Sequence, residues 1–179
     1  MSHGVIVQRG GAYNRLAEPA WGDPLRTSYS CASGGRWNAP GSYGVLYLNA
    51  TERMARLQAE HKLTGQPFGI EDLDPFEQHD LVDVVVGRCD VLDCVTDAGL
   101  RAVALPVGYP RERDGSVVSH ARCHPVGEAA HDAGLAGVVC RSAVTGATPA
   151  DEELGVFDRD VEELVVQTAR RPFADWYLG

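Results

Sequence analysis

The order of short apolar runs along this chain predicts a mixed α+β domain. Strand-like stretches such as "GVLYLNA" (44–50) and "AGVVCRS" (136–142) alternate irregularly with short helical ones, without the regular βαβ repeat that builds a parallel sheet. The 179 residues are 44% hydrophobic and 23% charged, enough for one sizeable core and too few for a second domain. No internal repeat, low-complexity tract or linker divides the chain, so residues 1–179 are expected to form a single compact domain.

Each element follows from local signals. "GVIVQR" (4–9) reads as a short strand, and the Gly-, Pro- and Ser-rich residues 10–35 that follow read as an ordered loop. "GVLYLNA" is a buried strand. It runs into a helix within "NATERMARLQAEHKLTG" (49–65), with Asn49 or Thr51 as cap and Gly65 as stop. "EDLDPFEQHD" (71–80) is an acidic connection, "LVDVVVG" (81–87) a strand, and "CDVLDCV" (89–95) another short one. "TDAGLRAVAL" (96–105) and "HPVGEAAHDAGL" (124–135) suit short helices, the second with Pro125 in its first turn, where proline is tolerated. "AGVVCRS" and "ELGVFD" (153–158) supply late strands.

Composition removes several function classes. A formal charge of −9 and a pI near 5.0 argue against broad phosphate-backbone binding, which needs a basic face. No apolar run reaches bilayer-spanning length, and "MSHGVIVQRGG" lacks the basic-then-apolar order of a signal peptide. A cytoplasmic protein without membrane or nucleic-acid partners is expected. Cys31, Cys89, Cys94, Cys123 and Cys140, an odd number, suit free thiols in that compartment.

Standard phosphate-cradling, zinc-protease and hydrolase-elbow motifs are missing. Cys89, Cys94, His120, Cys123 and His124 lie too loosely spaced for a metal site, and none is expected. Segment 34–60 carries more. In "GGRW", Gly34 and Gly35 let backbone approach a ligand, and Arg36 offers a planar fork for pyrophosphate or carboxylate. Tyr47 brings an aromatic face and a hydroxyl, and Glu60 lies on the following helix. Such a set could hold a charged ligand with an aromatic part. The same spacing also allows a structural reading, with Arg36 in a surface ion pair, Tyr47 in the core and Glu60 paired with Arg56.

"GGRWNAPGSYGVLYLNAT" resembles the signature of the RES family, named for Arg, Glu and Ser and known chiefly as the toxin half of RES–Xre toxin–antitoxin pairs. "DAGLAGVVCRSAV" is similar to the family's serine-bearing strand, with Ser142 as the serine, and "VIVQRGG" to its opening strand, with Arg9 as the arginine. The resemblance runs from about residue 5 to about 158.

This resemblance implies an ADP-ribosyltransferase-like fold, a mixed-sheet core with short helices. It also implies an activity that breaks the nicotinamide–ribose bond of NAD+, with NAD+ as substrate rather than bound cofactor. The ADP-ribosyl group would pass to water, phosphate or, in a mono-ADP-ribosyltransferase, a protein. By the same resemblance Arg36 and Arg9 hold the pyrophosphate, Tyr47 positions the nicotinamide end, Glu60 stabilises charge developing on the ribose, and Ser142 orients a ribose or amide. The implied partner is a Xre-type antitoxin; a homodimer is compatible with the sequence. The family's glutamate follows its tyrosine by about three helical turns, which here falls close to Gln58, with Glu60 two residues on. Two residues rotate a helical side chain by about 200°, so either the helix register is shifted or the acid is lost. Glu52 and Glu71 are further candidates, and loss of the acid would leave a module that binds the dinucleotide without cleaving it.

Overall fold

The computed structural model describes residues 4–179, and its architecture is the mixed α+β class expected. Strand β1 (Ile6–Ala17) leads to helix α1 (Ser28–Ser33), strand β2 (Val45–Asn49) and helix α2 (Glu52–His61). After two short 3-10 turns come β3 (Asp80–Cys94), α3 (Asp97–Ala102), α4 (His120–Asp132), β4 (Gly137–Arg141) and β5 (Glu152–Phe157). Helix α5 (Asp158–Leu164), strand β6 (Val165–Arg171) and helix α6 (Phe173–Trp176) follow. No described helix is long and apolar enough to cross a membrane.

The strands form one six-stranded sheet in the order β1-β2-β5-β4-β3-β6, and β1 also pairs with β3, so five strands close on themselves. Among the described residues only β3 and β4 run parallel, and every other pair is antiparallel. Alternation along the strands separates two cores. Val45, Val138, Cys140 and Phe157 face a cluster with Trp37, Tyr109 and helix α4, whereas Leu46, Leu48, Val139, Leu154 and Val156 face Tyr13, Val82 and Val84.

Several elements differ from the sequence expectation for identifiable reasons. Strand β1 runs through Gly10 and Gly11 rather than ending there. Gly11 has φ 105° at a register shift between Arg9 and Gly11, so the glycine pair makes a bulge instead of a loop. The two runs expected at 81–87 and 89–95 are one long strand, because β1 pairs with β3 on both sides of that bulge. Helix α4 begins at His120, capped by the Ser119 hydroxyl, and carries Pro125 inside it rather than in its first turn. Helix α2 is capped by Thr51, whose hydroxyl accepts the Met54 N–H at 3.2 Å, and ends at His61 before Gly65. Helices α1, α5 and α6 and strand β6 carry no signal that the sequence reading used.

Candidate active site

Register brings the candidate residues together. Tyr47 stands opposite Gly155, Asn49 opposite Glu153, and Cys140 also opposite Glu153, so Tyr47, Asn49 and Glu153 emerge on one face of the sheet, beside Ser142 just past β4. Across that face lie the 34–38 loop and helix α2.

The loop is fastened to Tyr47. The Tyr47 hydroxyl accepts the Trp37 N–H at 3.0 Å and donates to Asn38 Oδ1 at 3.0 Å. Gly35 lies so close to the phenol that a Cβ there would overlap the Tyr47 hydroxyl. This contact gives the second glycine of "GGRW" its reason: here the backbone approaches a side chain of the site. Trp37, 1% exposed, anchors the loop in the core. The next residue back, Arg36, donates to Val118 O at 3.2 Å and lies 6.0 Å from the Tyr109 ring. It makes no ion pair among the described residues. Burial holds the Tyr47 hydroxyl well above its usual pKa, so it stays a neutral donor and acceptor.

Three adjoining hollows of about 330, 400 and 650 Å³ meet at Gln58. The smallest collects the guanidinium side chains of Arg15, Arg26 and Arg36, the aromatic rings of Trp21, Tyr29 and Tyr47, and the carboxylate of Glu153. Arg15 and Arg26 lie 5.4 and 5.0 Å from the Trp21 ring, within cation–π range. Arg15 is half-buried, with its Nε and one Nη fully buried and lacking any hydrogen-bond partner among the described residues, and burial lowers its pKa to about 10. His120 lines the same hollow; burial and then the neighbouring Arg36 and His124 lower its pKa, favouring the neutral ring.

A polar chain crosses the floor. Asn49 Nδ2 donates to Gln58 Oε1 at 3.0 Å, Gln58 Nε2 donates to Glu153 Oε1 at 3.4 Å, and the Ser142 hydroxyl donates to the same Glu153 oxygen. Ser142 also accepts the Val144 N–H at 3.2 Å.

Of the residues singled out in the sequence, Arg36 and Tyr47 line this cleft, and Ser142 joins it through Glu153. Arg9 and Glu60 do not. Arg9 forms a paired ion bridge to Glu152 at 3.0 Å and borders a separate hollow with Gln8 and Arg88. Glu60 is exposed and accepts the Tyr177 hydroxyl at 2.7 Å. The half-turn between positions 58 and 60 decides this, because Met54, Ala55 and Ala59 bury the inner face of α2, and of its residues Gln58 and His61, not Glu60, line the hollows. Glu52 is spent on Arg171 at 2.9 Å and Arg56 at 3.6 Å, and Glu71 lies in the first 3-10 turn, outside the three hollows. The loosely spaced Cys and His residues do not converge: among the described residues no three His, Cys, Asp or Glu side chains group as a metal would require.

The family model described as "RES domain" matches residues 9–175, nearly the whole chain. The chain belongs to the RES domain family. Its fold is similar to a chain in the crystal structure of the M. tuberculosis MbcT-MbcA toxin-antitoxin complex, with a TM-score of 0.70 at 21% identity, covering 92% of this chain and 87% of that one. No curated protein matches it.

Two residues of this RES domain escaped the sequence reading. Arg15 sits in a stretch that looked like loop until the Gly11 bulge carried β1 onward. Glu153 had a usable signal: in "EELGVF" it alternates with Gly155 and Phe157, a carboxylate on the core-facing side of a buried strand.

Proposed function

We propose that this RES domain is the toxin half of a toxin–antitoxin pair and consumes NAD+ by cleaving its nicotinamide–ribose bond, lowering cytoplasmic NAD+ and arresting growth. The carrying observation is the small hollow in which Arg15, Arg26 and Arg36 meet three aromatic rings, inside a protein whose formal charge is −9. Such a local reversal of charge suits an anionic ligand, and the rings suit one with flat aromatic ends. A dinucleotide has both: a pyrophosphate for the guanidinium groups, and two ring systems for Tyr47 and for Tyr29, which is 64% exposed.

In the reaction the bond from ribose C1′ to the pyridinium nitrogen breaks and its electron pair leaves with nicotinamide, which departs neutral. Positive charge develops on the ribose. Water or phosphate then adds to C1′, and when water adds, its proton passes to solvent. A polar floor beside the ribose and arginines on the pyrophosphate hold the substrate while that charge forms. NAD+ is the substrate, and a Xre-type antitoxin that closes the cleft is the partner; the similar fold from a toxin–antitoxin complex supports this pairing.

A second reading is favoured by one residue. Gln58, at the meeting point of the hollows, is a neutral amide, and a cleft without a working acid would bind NAD+ and leave it intact. Nicotinamide release by the purified chain, with and without phosphate and beside Arg36→Ala, separates the two. Release that Arg36→Ala abolishes supports the enzyme, and stimulation by phosphate identifies the acceptor. Binding without release supports the module, and absence of NAD+ binding rejects both. Label appearing on a protein after incubation with labelled NAD+ would instead identify a mono-ADP-ribosyltransferase.

A further inference from the structure

We infer that Glu153, on strand β5, supplies the catalytic carboxylate of this cleft, taking the part that Gln58 on helix α2 cannot. The inference rests on the NAD+-cleaving reading above and assigns the residue that faces the ribose.

Four observations converge on it. First, among the described residues Glu153 is the only carboxylate bordering either of the two hollows that contain Arg36. Second, no guanidinium or ammonium group pairs with it among the described residues, although Arg15 and Arg36 line the same hollow; a purely structural carboxylate beside them would be expected to form that pair. Third, its two donors, the Ser142 hydroxyl and Gln58 Nε2, both meet Oε1, and among the described residues nothing donates to Oε2. One oxygen is fixed and the other is left for a ligand hydroxyl. Fourth, Gln58 is itself held by Asn49 with its NH2 group toward Glu153. The amide at the helix position therefore orients the carboxylate, so Gln58 and Ser142 are positioning residues.

The chemistry needs negative charge and not only a hydrogen bond. As the C1′–N bond breaks and its electron pair leaves with nicotinamide, the ribose becomes cationic, and a fixed anion nearby stabilises that state more than the ground state. In Glu153→Gln the carbonyl oxygen can still accept from Ser142 and Gln58, so the change removes charge while keeping shape.

The test measures kcat and KM for nicotinamide release by the wild type, Glu153→Gln and Glu153→Asp, with NAD+ binding by calorimetry as a measure of an intact cleft. Loss of a group that acts on the developing charge lowers kcat by about 100- to 1000-fold, with KM and NAD+ affinity within about threefold. Glu153→Asp, which keeps the charge on a shorter arm, should turn over faster than Glu153→Gln. A Glu153→Gln rate equal to wild type overturns this assignment and leaves the NAD+-cleaving reading standing. An aspartate variant as slow as the glutamine variant, with both binding NAD+, also overturns it, since shape rather than charge would then matter. If the wild type binds NAD+ and releases no nicotinamide, the cleaving reading fails and the assignment fails with it.

Discussion

The Tyr47 hydroxyl accepts the backbone N–H of Trp37 at 3.0 Å, so the strand that floors the cleft also holds the loop that presents Arg36. Tyr47→Phe would leave that N–H, and the Asn38 side-chain Oδ1 at 3.0 Å, without their partner. An unsatisfied buried donor costs about 1–3 kcal/mol, which is expected as a lower denaturant midpoint with an unchanged m-value. Arg36 should lose its placement as well, so the apparent affinity for NAD+ falls along with stability. An unchanged midpoint would mean that the hydroxyl does not tie down the loop.

Gly35 is required by the same contact. An alanine methyl at this position would meet a phenol that cannot swing aside, because both of its hydrogen bonds fix it. Gly35→Ala should destabilise by about 1–3 kcal/mol, the usual cost of overpacking. In the double variant with Tyr47→Phe the two effects should be less than additive, since losing the hydroxyl removes the closest overlap and frees the ring of its two hydrogen bonds, although Cε2 and Cζ, at 2.8 Å, still crowd the methyl. Urea melts of the four proteins in this cycle check it.

Asp93 gives the fold an acid-sensitive point away from the cleft. Its buried carboxylate opposes its own charge through desolvation, but the Thr96 hydroxyl and the Val95 and Thr96 N–H groups, at 2.8 and 3.1 Å, outweigh this and lower its pKa. A depressed folded-state pKa contributes stability that is fully present above the unfolded value of about 3.9 and is lost as pH falls through the folded value. Asp93→Asn should therefore be less stable than wild type at neutral pH, by about 1–3 kcal/mol. The gap should narrow as the pH drops below about 4. A gap independent of pH would show that the carboxylate's charge plays no part.

Arg9 and Glu60 provide the opposite expectation. The Arg9–Glu152 bridge is about one quarter exposed on each side, and such pairs are worth about 0–1 kcal/mol. The exposed Glu60 carboxylate accepts only the Tyr177 hydroxyl among the described residues. Neither Arg9→Ala nor Glu60→Gln should change nicotinamide release by more than about twofold, a change of under ~0.5 kcal/mol in barrier. A loss of 100-fold in either would mean that the cleft rearranges around a residue now outside it.

What the sequence made legible was local. The β2 strand, the α2 helix with its Thr51 cap, and the pairing of "GGRW" with Tyr47 follow from patterns a few residues long, and the α+β class follows from their irregular order. The cleft's composition was less accessible because it depends on long-range register. Glu153 meets Asn49 and Cys140 only once β5 lies between β2 and β4. Arg15 reaches the cleft only because the Gly11 bulge lets β1 continue. The choice between Gln58 and Glu60 turns on helix phase, which the spacing from Tyr47 left open.

Arg15 illustrates how a binding site can oppose the stability of its own fold. Two of its three guanidinium nitrogens are buried and have no partner among the described residues, and its pKa is pushed down to about 10 by that burial. A lowered pKa on a cation means that folding disfavours its charged form, so in the ligand-free protein Arg15 costs stability. Arg15→Met keeps much of the side-chain length without the charge. The ligand-free variant should unfold at the same or a higher denaturant concentration than wild type, while the rise in melting temperature on adding NAD+ should largely disappear. The two readouts move in opposite directions only if the unpaired guanidinium is held ready for an anion. If Arg15→Met unfolds earlier and still responds to NAD+, Arg15 is a packing residue, and pyrophosphate recognition would fall to Arg26 and Arg36.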